Sequence, residues 1–356
     1  MVQRSRVVYF DVLTILACLA VLFLHCNGIV HTYSNTVPWH EALAVEVLAY
    51  WAVPVFFMLT GAKTLDFLDR QSASVFLRKR FVRLFIPFLF WSVFLYIIRF
   101  SGWFGIPRPS GWNFSLGSFY RAFMECQIEP TYWFFYAMIG VTLSMPILSA
   151  LRNNRTSLQY LAVLATLLIA CVPTFCRIVE IPWNGDITIP LAGGYTLYVV
   201  LGYLLANKKC LQNRSHRLLL YCGGMVCLGL RYAYTAVYSD MTGSLVDVLF
   251  DYLSIVAVVP SAAIFILFRQ LFSDGGAFQS LGECSSFSSI TRAVSSCCFG
   301  IYIIHKIVLD NFLCGTFGIS MDSAFMRLAC PWILFALCFC FVWIAKRIPG
   351  VRRLVP

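Results

Sequence analysis

A chain of 356 residues with 60% apolar and only 12% charged side chains, and a mean hydropathy of +0.78, has too little polar surface for a soluble globular domain. Its net charge of +11 would suit nucleic acid if it formed one patch, but Lys and Arg stand in short clusters between apolar runs, as orientation signals do in a membrane protein. That distribution argues against a nucleic-acid partner and for the lipid bilayer as the surroundings. Spanning segments consume nearly all the length, so residues 1–356 read as one membrane-embedded domain.

Apolar windows of membrane-crossing length predict ten helices, at 8–30, 42–62, 83–100, 132–151, 158–175, 190–206, 217–238, 247–269, 296–314 and 325–346. The expected fold class is therefore all-α: a polytopic bundle of about ten transmembrane helices. The first run follows Arg4 and Arg6, as a secretory signal would. It nevertheless carries Asp11, outlasts a signal core and lacks a small-x-small exit, so it reads as a retained first helix. At ~100° per residue, Asp11, Thr14, Cys18 and His25 share one face of that helix. Ionisable groups are expensive at such depth, and Asp11 and His25 mark this face as a candidate functional site.

Placing the amino terminus in the cytoplasm puts 20 of the 27 Lys and Arg on inner segments, which satisfies the positive-inside rule and makes both termini cytoplasmic. Asp11 then lies near the cytoplasm and His25 about 21 Å further out at 1.5 Å per residue. Arg78, Lys79, Arg80 and Arg83 open the third helix at the inner face, where they suit either phosphate binding or anionic headgroups. The outer loop 101–131 is irregular, with Trp103, Pro107, Pro109 and Trp112, and its rings suit sugar faces or membrane headgroups. Residues 273–295 read as a Ser- and Gly-rich inner loop. Glu41 and Glu46 border the second helix on the outer side, where either could orient a substrate hydroxyl but each reads first as a solvated end charge, while His31 and His40 fall in an outer loop. His305, deep in the ninth helix, reads either as a second site histidine or as a packing residue.

Fifteen cysteines lie mostly in apolar segments without metal-ligand spacing, so no metal site is expected. Cys126 and Cys176 both fall on the outer side, which leaves a bridge between them open.

Six segments in order carry a resemblance over nearly the whole chain: Tyr9-Phe-Asp-Val-Leu with His25-Cys26; Pro54 to Gly61; Arg78 to Pro87; Trp133 to Gly140; Gly194-Tyr195 with Leu201-Gly-Tyr203; and Ser296 to His305. Together they resemble the acyltransferase 3 family of membrane-bound acyltransferases. The resemblance implies transfer of an acyl group, commonly acetyl from cytoplasmic acetyl-CoA or another acyl-CoA, to a hydroxyl or amine of a glycan or lipid-linked sugar. That acyl-CoA is a donor substrate, and no bound cofactor is implied. A cytoplasmic-membrane location would follow. It also implies that His25 is the residue on which the chemistry depends. An imidazole can take the proton of an attacking hydroxyl or accept the acyl group itself, and both roles stay open.

The same carry-over makes Arg80 and Arg83, with Arg78, the expected clamp for the phosphates of the donor, and lets Trp133, Tyr136, Tyr302 and Thr60 line the substrate cavity. Asp11 would order the inner end of the polar face. The family pairs its histidine with a basic residue eleven positions earlier, and here that position is Thr14. The second motif, usually Ser-Gly-Tyr, reads Thr60-Gly61-Ala62. Thr14 is the feature that most favours a rival reading, a transporter of a small polar solute or lipid-linked sugar; a scaffold within a polysaccharide machine is a third.

Overall fold

The computed structural model describes residues 7–102, 109, 111–187, 189 and 193–355. Arg4, Arg6, Trp103, Pro107, Arg108 and the start of the helix expected from residue 190 lie outside the described residues. Helix accounts for 75% of the structure and no strand occurs among the described residues, so the chain is all-α. Among the described residues seven helical runs are long and apolar enough to cross a membrane: Val8–His25, Val37–Asp69, Ala73–Ser101, Pro130–Asn153, Arg155–Ile178, Arg214–Thr242 and Ser285–Thr316. Three shorter apolar helices, Thr196–Ala206, Ile255–Leu271 and Cys330–Ala345, occupy the remaining places at which the hydropathy windows predict a span.

In chain order the elements are α1 (Val8–His25), α2 (Val37–Ala49), α3 (Ala52–Thr64), α4 (Ala73–Arg80), α5 (Ile86–Ser101), α6 (Leu116–Met124), α7 (Trp133–Ala150) and α8 (Arg155–Ala165). They continue as α9 (Val172–Ile178), α10 (Thr196–Ala206), α11 (Arg214–Thr242), α12 (Ile255–Leu271), α13 (Gln279–Glu283), α14 (Ser285–Ile307), α15 (Ala324–Leu328) and α16 (Cys330–Ala345). The chain divides into two compact units, Met1–Arg70 with Ser144–Ser295, and Gln71–Leu143 with Ser296–Pro356.

In the first unit the backbones of α3 and α10 touch. A Cβ on Gly61 would stand 1.9 Å from the carbonyl oxygen of Val199, and one on Gly202 would stand 2.0 Å from that of Met58. Between helices in lipid, small residues allow this approach and the dispersion it brings. Two of the glycines that carry the family resemblance are thus explained by packing. Helix α2 lays Trp39, Leu43 and Val47 against Ala236 of α11, with Tyr33 and Tyr232 closing the cluster.

In the second unit α4 passes into α5 through a π-helical turn, Phe81–Phe85, directly before Pro87. The proline ring would collide with the carbonyl of Arg83 in a regular helix, and the widened turn relieves that clash. The same device precedes Pro173 in the first unit, at Thr166–Cys171. Phe88 stacks on Phe135 at 5.0 Å and meets Phe123, Tyr132 and Tyr136 edge-on or tilted.

Four expectations are corrected. The first helix ends at His25 rather than residue 30, because Gly28–His31 tightens into a 3-10 turn. The outer loop contains α6, and Trp112 is buried with its ring stacked 4.8 Å from Tyr96, so it is a packing residue rather than an interfacial ring. The inner stretch 273–295 is largely helical, since α14 begins at Ser285 with Phe287, Ile290 and Val294 at helical spacing. All fifteen cysteines, Cys126 and Cys176 included, are free thiols.

Candidate functional site

Helix α1 carries its ionisable groups at its two ends. Asp11, in the first turn, is buried and accepts a hydrogen bond from Oγ of Ser295 at 2.8 Å. A carboxylate is favoured there by the exposed N–H groups of a helix start. One turn on, Thr14 donates its hydroxyl proton to the carbonyl of Phe10 at 2.6 Å. The lone pairs of Oγ1 then face outward from the helix, and the ammonium of Lys63 donates to them at 3.2 Å. Lys63 comes from the last turn of α3, where the helix C-terminus favours a cation, and its Nζ stands 5.7 Å over the Phe10 ring.

Beside this contact lies a cavity of about 1060 Å³, walled by the start of α1, Ala62 and Lys63 of α3, the 206–217 connection, and residues 269–283. Its charged walls include Asp11, Lys63, Lys208, Arg217, Arg269, Asp274 and Glu283. Two of these cations hold backbone. The Arg269 guanidinium donates to the carbonyls of Leu205, Asn207 at 2.8 Å and Cys210 at 2.6 Å, closing the end of α10. Arg217 does the same for Leu211 at 3.1 Å and Gln212 at 2.6 Å. Lys208 pairs with Asp274 at 3.4 Å at the exposed rim.

The opposite end of α1 bears His25, half-buried at the last helical position. Two residues on, Asn27 is fully buried and its amide donates to the carbonyl of Ala42 at 2.8 Å and to Oε2 of Glu46 at 3.3 Å. Glu46 is only 5% exposed, which corrects its reading as a solvated end charge: the packing of α2 on α11 turns it inward. Arg231 of α11 is completely buried, with its guanidinium 3.3 Å over the ring of Tyr50 and 4.8 Å from that of Phe250. A buried carboxylate, a guanidinium and two rings thus pin the segment that follows His25.

The second unit holds His305, Tyr302, Trp133, Tyr136 and the arginines Arg78, Arg80 and Arg83. His305 is fully buried, and its Nδ1–H donates to the carbonyl of Tyr302 at 2.6 Å. Tyr302 donates to the carbonyl of Thr131 at 2.5 Å, and Tyr132 to that of Ile303 at 3.0 Å, so the two helical stretches are laced together by phenols. Trp133 and Tyr136 are half-buried, and the Tyr136 hydroxyl donates to the carbonyl of Phe123. Glu129 accepts from Arg99 at 3.1 Å and from Thr131; burial raises its pKa, against the opposing pull of that guanidinium. Arg80 lies over the Phe76 ring at 5.4 Å, while Arg78 and Arg83 are exposed.

The structure therefore brings Thr14 together with Lys63 beside the Asp11 cavity, and sets a buried polar residue, Asn27, two positions after His25. Thr60, in the first unit, turns its hydroxyl back on the carbonyl of Phe56 at 2.9 Å. Lys63, Asn27 and Arg231 escaped the sequence reading, which counted the two cations only as orientation charges. Arg231 could have been found by its place well inside an apolar run, where a charge needs partners. Among the described residues no cluster of His, Cys, Asp and Glu is arranged to hold a metal ion.

These features define a multi-pass helical membrane protein with ionisable groups at both ends of its first helix and a charged cavity at one of them. The acyltransferase-domain family model, acyltransferase 3, matches residues 7–347 and so covers both units. The chain belongs to that family and is an acyltransferase of the membrane. No curated protein and no solved structure matches it.

Proposed function

We propose that the protein resides in the cytoplasmic membrane with both termini inside, and transfers an acetyl group from acetyl-CoA to a hydroxyl of a surface glycan or its lipid-linked precursor. The observation that carries this reading is the asymmetry of α1, with a charged cavity of about 1060 Å³ at its Asp11 end and an imidazole at the other. The cavity collects Lys63, Lys208, Arg217 and Arg269, which belong to segments the positive-inside rule assigns to the cytoplasm. A cytoplasmic donor would meet this end first.

His25 acts on the acceptor. A sugar hydroxyl is a weak nucleophile, and Nδ1 or Nε2 of His25 removes its proton as the oxygen attacks the thioester carbon. The C–O bond forms, the C–S bond breaks, and the thiolate of CoA leaves. The imidazolium so formed stands at the C-terminal end of α1, whose carbonyls favour positive charge. Asn27, Glu46 and Arg231 hold the chain immediately after it. Asp11 fixes the inner end of α1 through Ser295. Arg80 and Arg83, with Arg78, bind phosphates of the donor, and His305, Trp133, Tyr136 and Tyr302 shape the second unit for the acceptor. The transport reading drew its force from the missing base at position 14, and Lys63 supplies a cation there.

Purified protein in vesicles, given radiolabelled acetyl-CoA and a lipid-linked sugar, tests the reading. Label appearing on the sugar with release of CoA supports it. Counterflow of the sugar with no label transferred would sink it in favour of transport.

A further inference from the structure

Resting on that reading, we infer that Lys63, seated on Thr14, is the cation that meets the pyrophosphate of the donor, so that α3 supplies to the α1 site the charge that α1 itself does not carry. Four observations converge on it. The hydroxyl proton of Thr14 is committed to Phe10, so the threonine can only accept, and what it accepts is the Lys63 ammonium at 3.2 Å. Thr14 is thus a seat for a cation. The backbone that carries Lys63 is held in place, because two residues earlier Gly61 packs α3 against the backbone of Val199. The residue also forms part of the cavity wall, with Ala62 beside it.

An ammonium has three donors, so Lys63 can bind Thr14 and a phosphate oxygen together. Distance then selects which part of the donor it meets. Thr14 and His25 are separated by about 16 Å along α1 at 1.5 Å per residue, a length comparable with an extended pantetheine arm. A pyrophosphate at Lys63 therefore sets the thioester at the depth of His25.

Calorimetry on the full chain in nanodiscs tests this, with acetyl-CoA and with S-acetylpantetheine, which lacks the phosphates. K63M is expected to weaken acetyl-CoA binding about tenfold or more while leaving S-acetylpantetheine unchanged, as loss of one charge-assisted phosphate contact requires. The double variant T14R/K63M returns a cation to the same point from α1 and is expected to recover most of the loss. T14R alone sets two cations against each other and is expected to bring no gain. Equal acetyl-CoA affinity in wild type and K63M would overturn the inference while leaving the acyltransferase reading intact, and so would a K63M loss shared equally by both ligands and not rescued by T14R. Wild type that binds no acetyl-CoA would overturn the reading itself.

Discussion

Among single residues, some polar groups act on substrate and others merely hold the chain. His25 fills little packing volume at the end of α1, so His25→Ala is expected to leave the fold intact and to lower acetyl transfer by about 10²–10⁴, the usual worth of a general base. His25→Gln keeps hydrogen bonding without basicity and should be equally inactive, whereas recovery in that variant would mean a holding role. Arg231 belongs to the holding group. It is completely buried with its guanidinium over the rings of Tyr50 and Phe250, so Arg231→Ala deletes those contacts and leaves a cavity, and is expected to cost roughly 2–5 kcal/mol, read as a fall in melting temperature. If Arg231→Ala melts with wild type, the polar layer beyond His25 does not stabilise the unit. The partners of these residues were not legible in the sequence. Lys63 meets Thr14 across 49 residues, and no local spacing reports a contact between two helices.

At the scale of elements, the sequence was most informative where one physical rule dominates. Hydropathy located the seven long apolar helices and the three shorter ones found among the described residues, since a bilayer demands apolar length. Boundaries were read less well. Polar serines lowered the mean around Ser285 and hid a helix whose apolar residues kept the helical period, while α1 gave way after Cys26 to the 3-10 turn Gly28–His31. Glycine motifs were legible as motifs but not as contacts. Gly61→Ala would put a methyl 1.9 Å from the Val199 oxygen, and Gly202→Ala one 2.0 Å from that of Met58. Backbone cannot yield as a side chain does, so each is expected to destabilise by at least the 1–3 kcal/mol typical of overpacking, and to disturb Lys63 with it. Purified Gly61→Ala with wild-type stability and donor affinity would show that α3 and α10 can separate at no cost.

At the scale of the whole molecule, the family match over residues 7–347 spans both compact units, so donor and acceptor functions are expected to draw on each. Replacing Arg80 and Arg83 together by alanine is expected to weaken acetyl-CoA binding about tenfold without loss of insertion, because the first unit keeps its own inner Lys and Arg. A correctly inserted double variant with unchanged affinity would remove these residues from the donor site. The most direct measurement of the central claim is a sidedness assay in sealed proteoliposomes of known orientation, with acetyl-CoA supplied only to the face bearing Lys63 and the lipid-linked sugar present throughout. Wild type is expected to release CoA on that face and to produce acetylated sugar, and His25→Gln to do neither above background. Acetylation that proceeds equally in His25→Gln, or only when acetyl-CoA is supplied to the face bearing His25, would contradict the account.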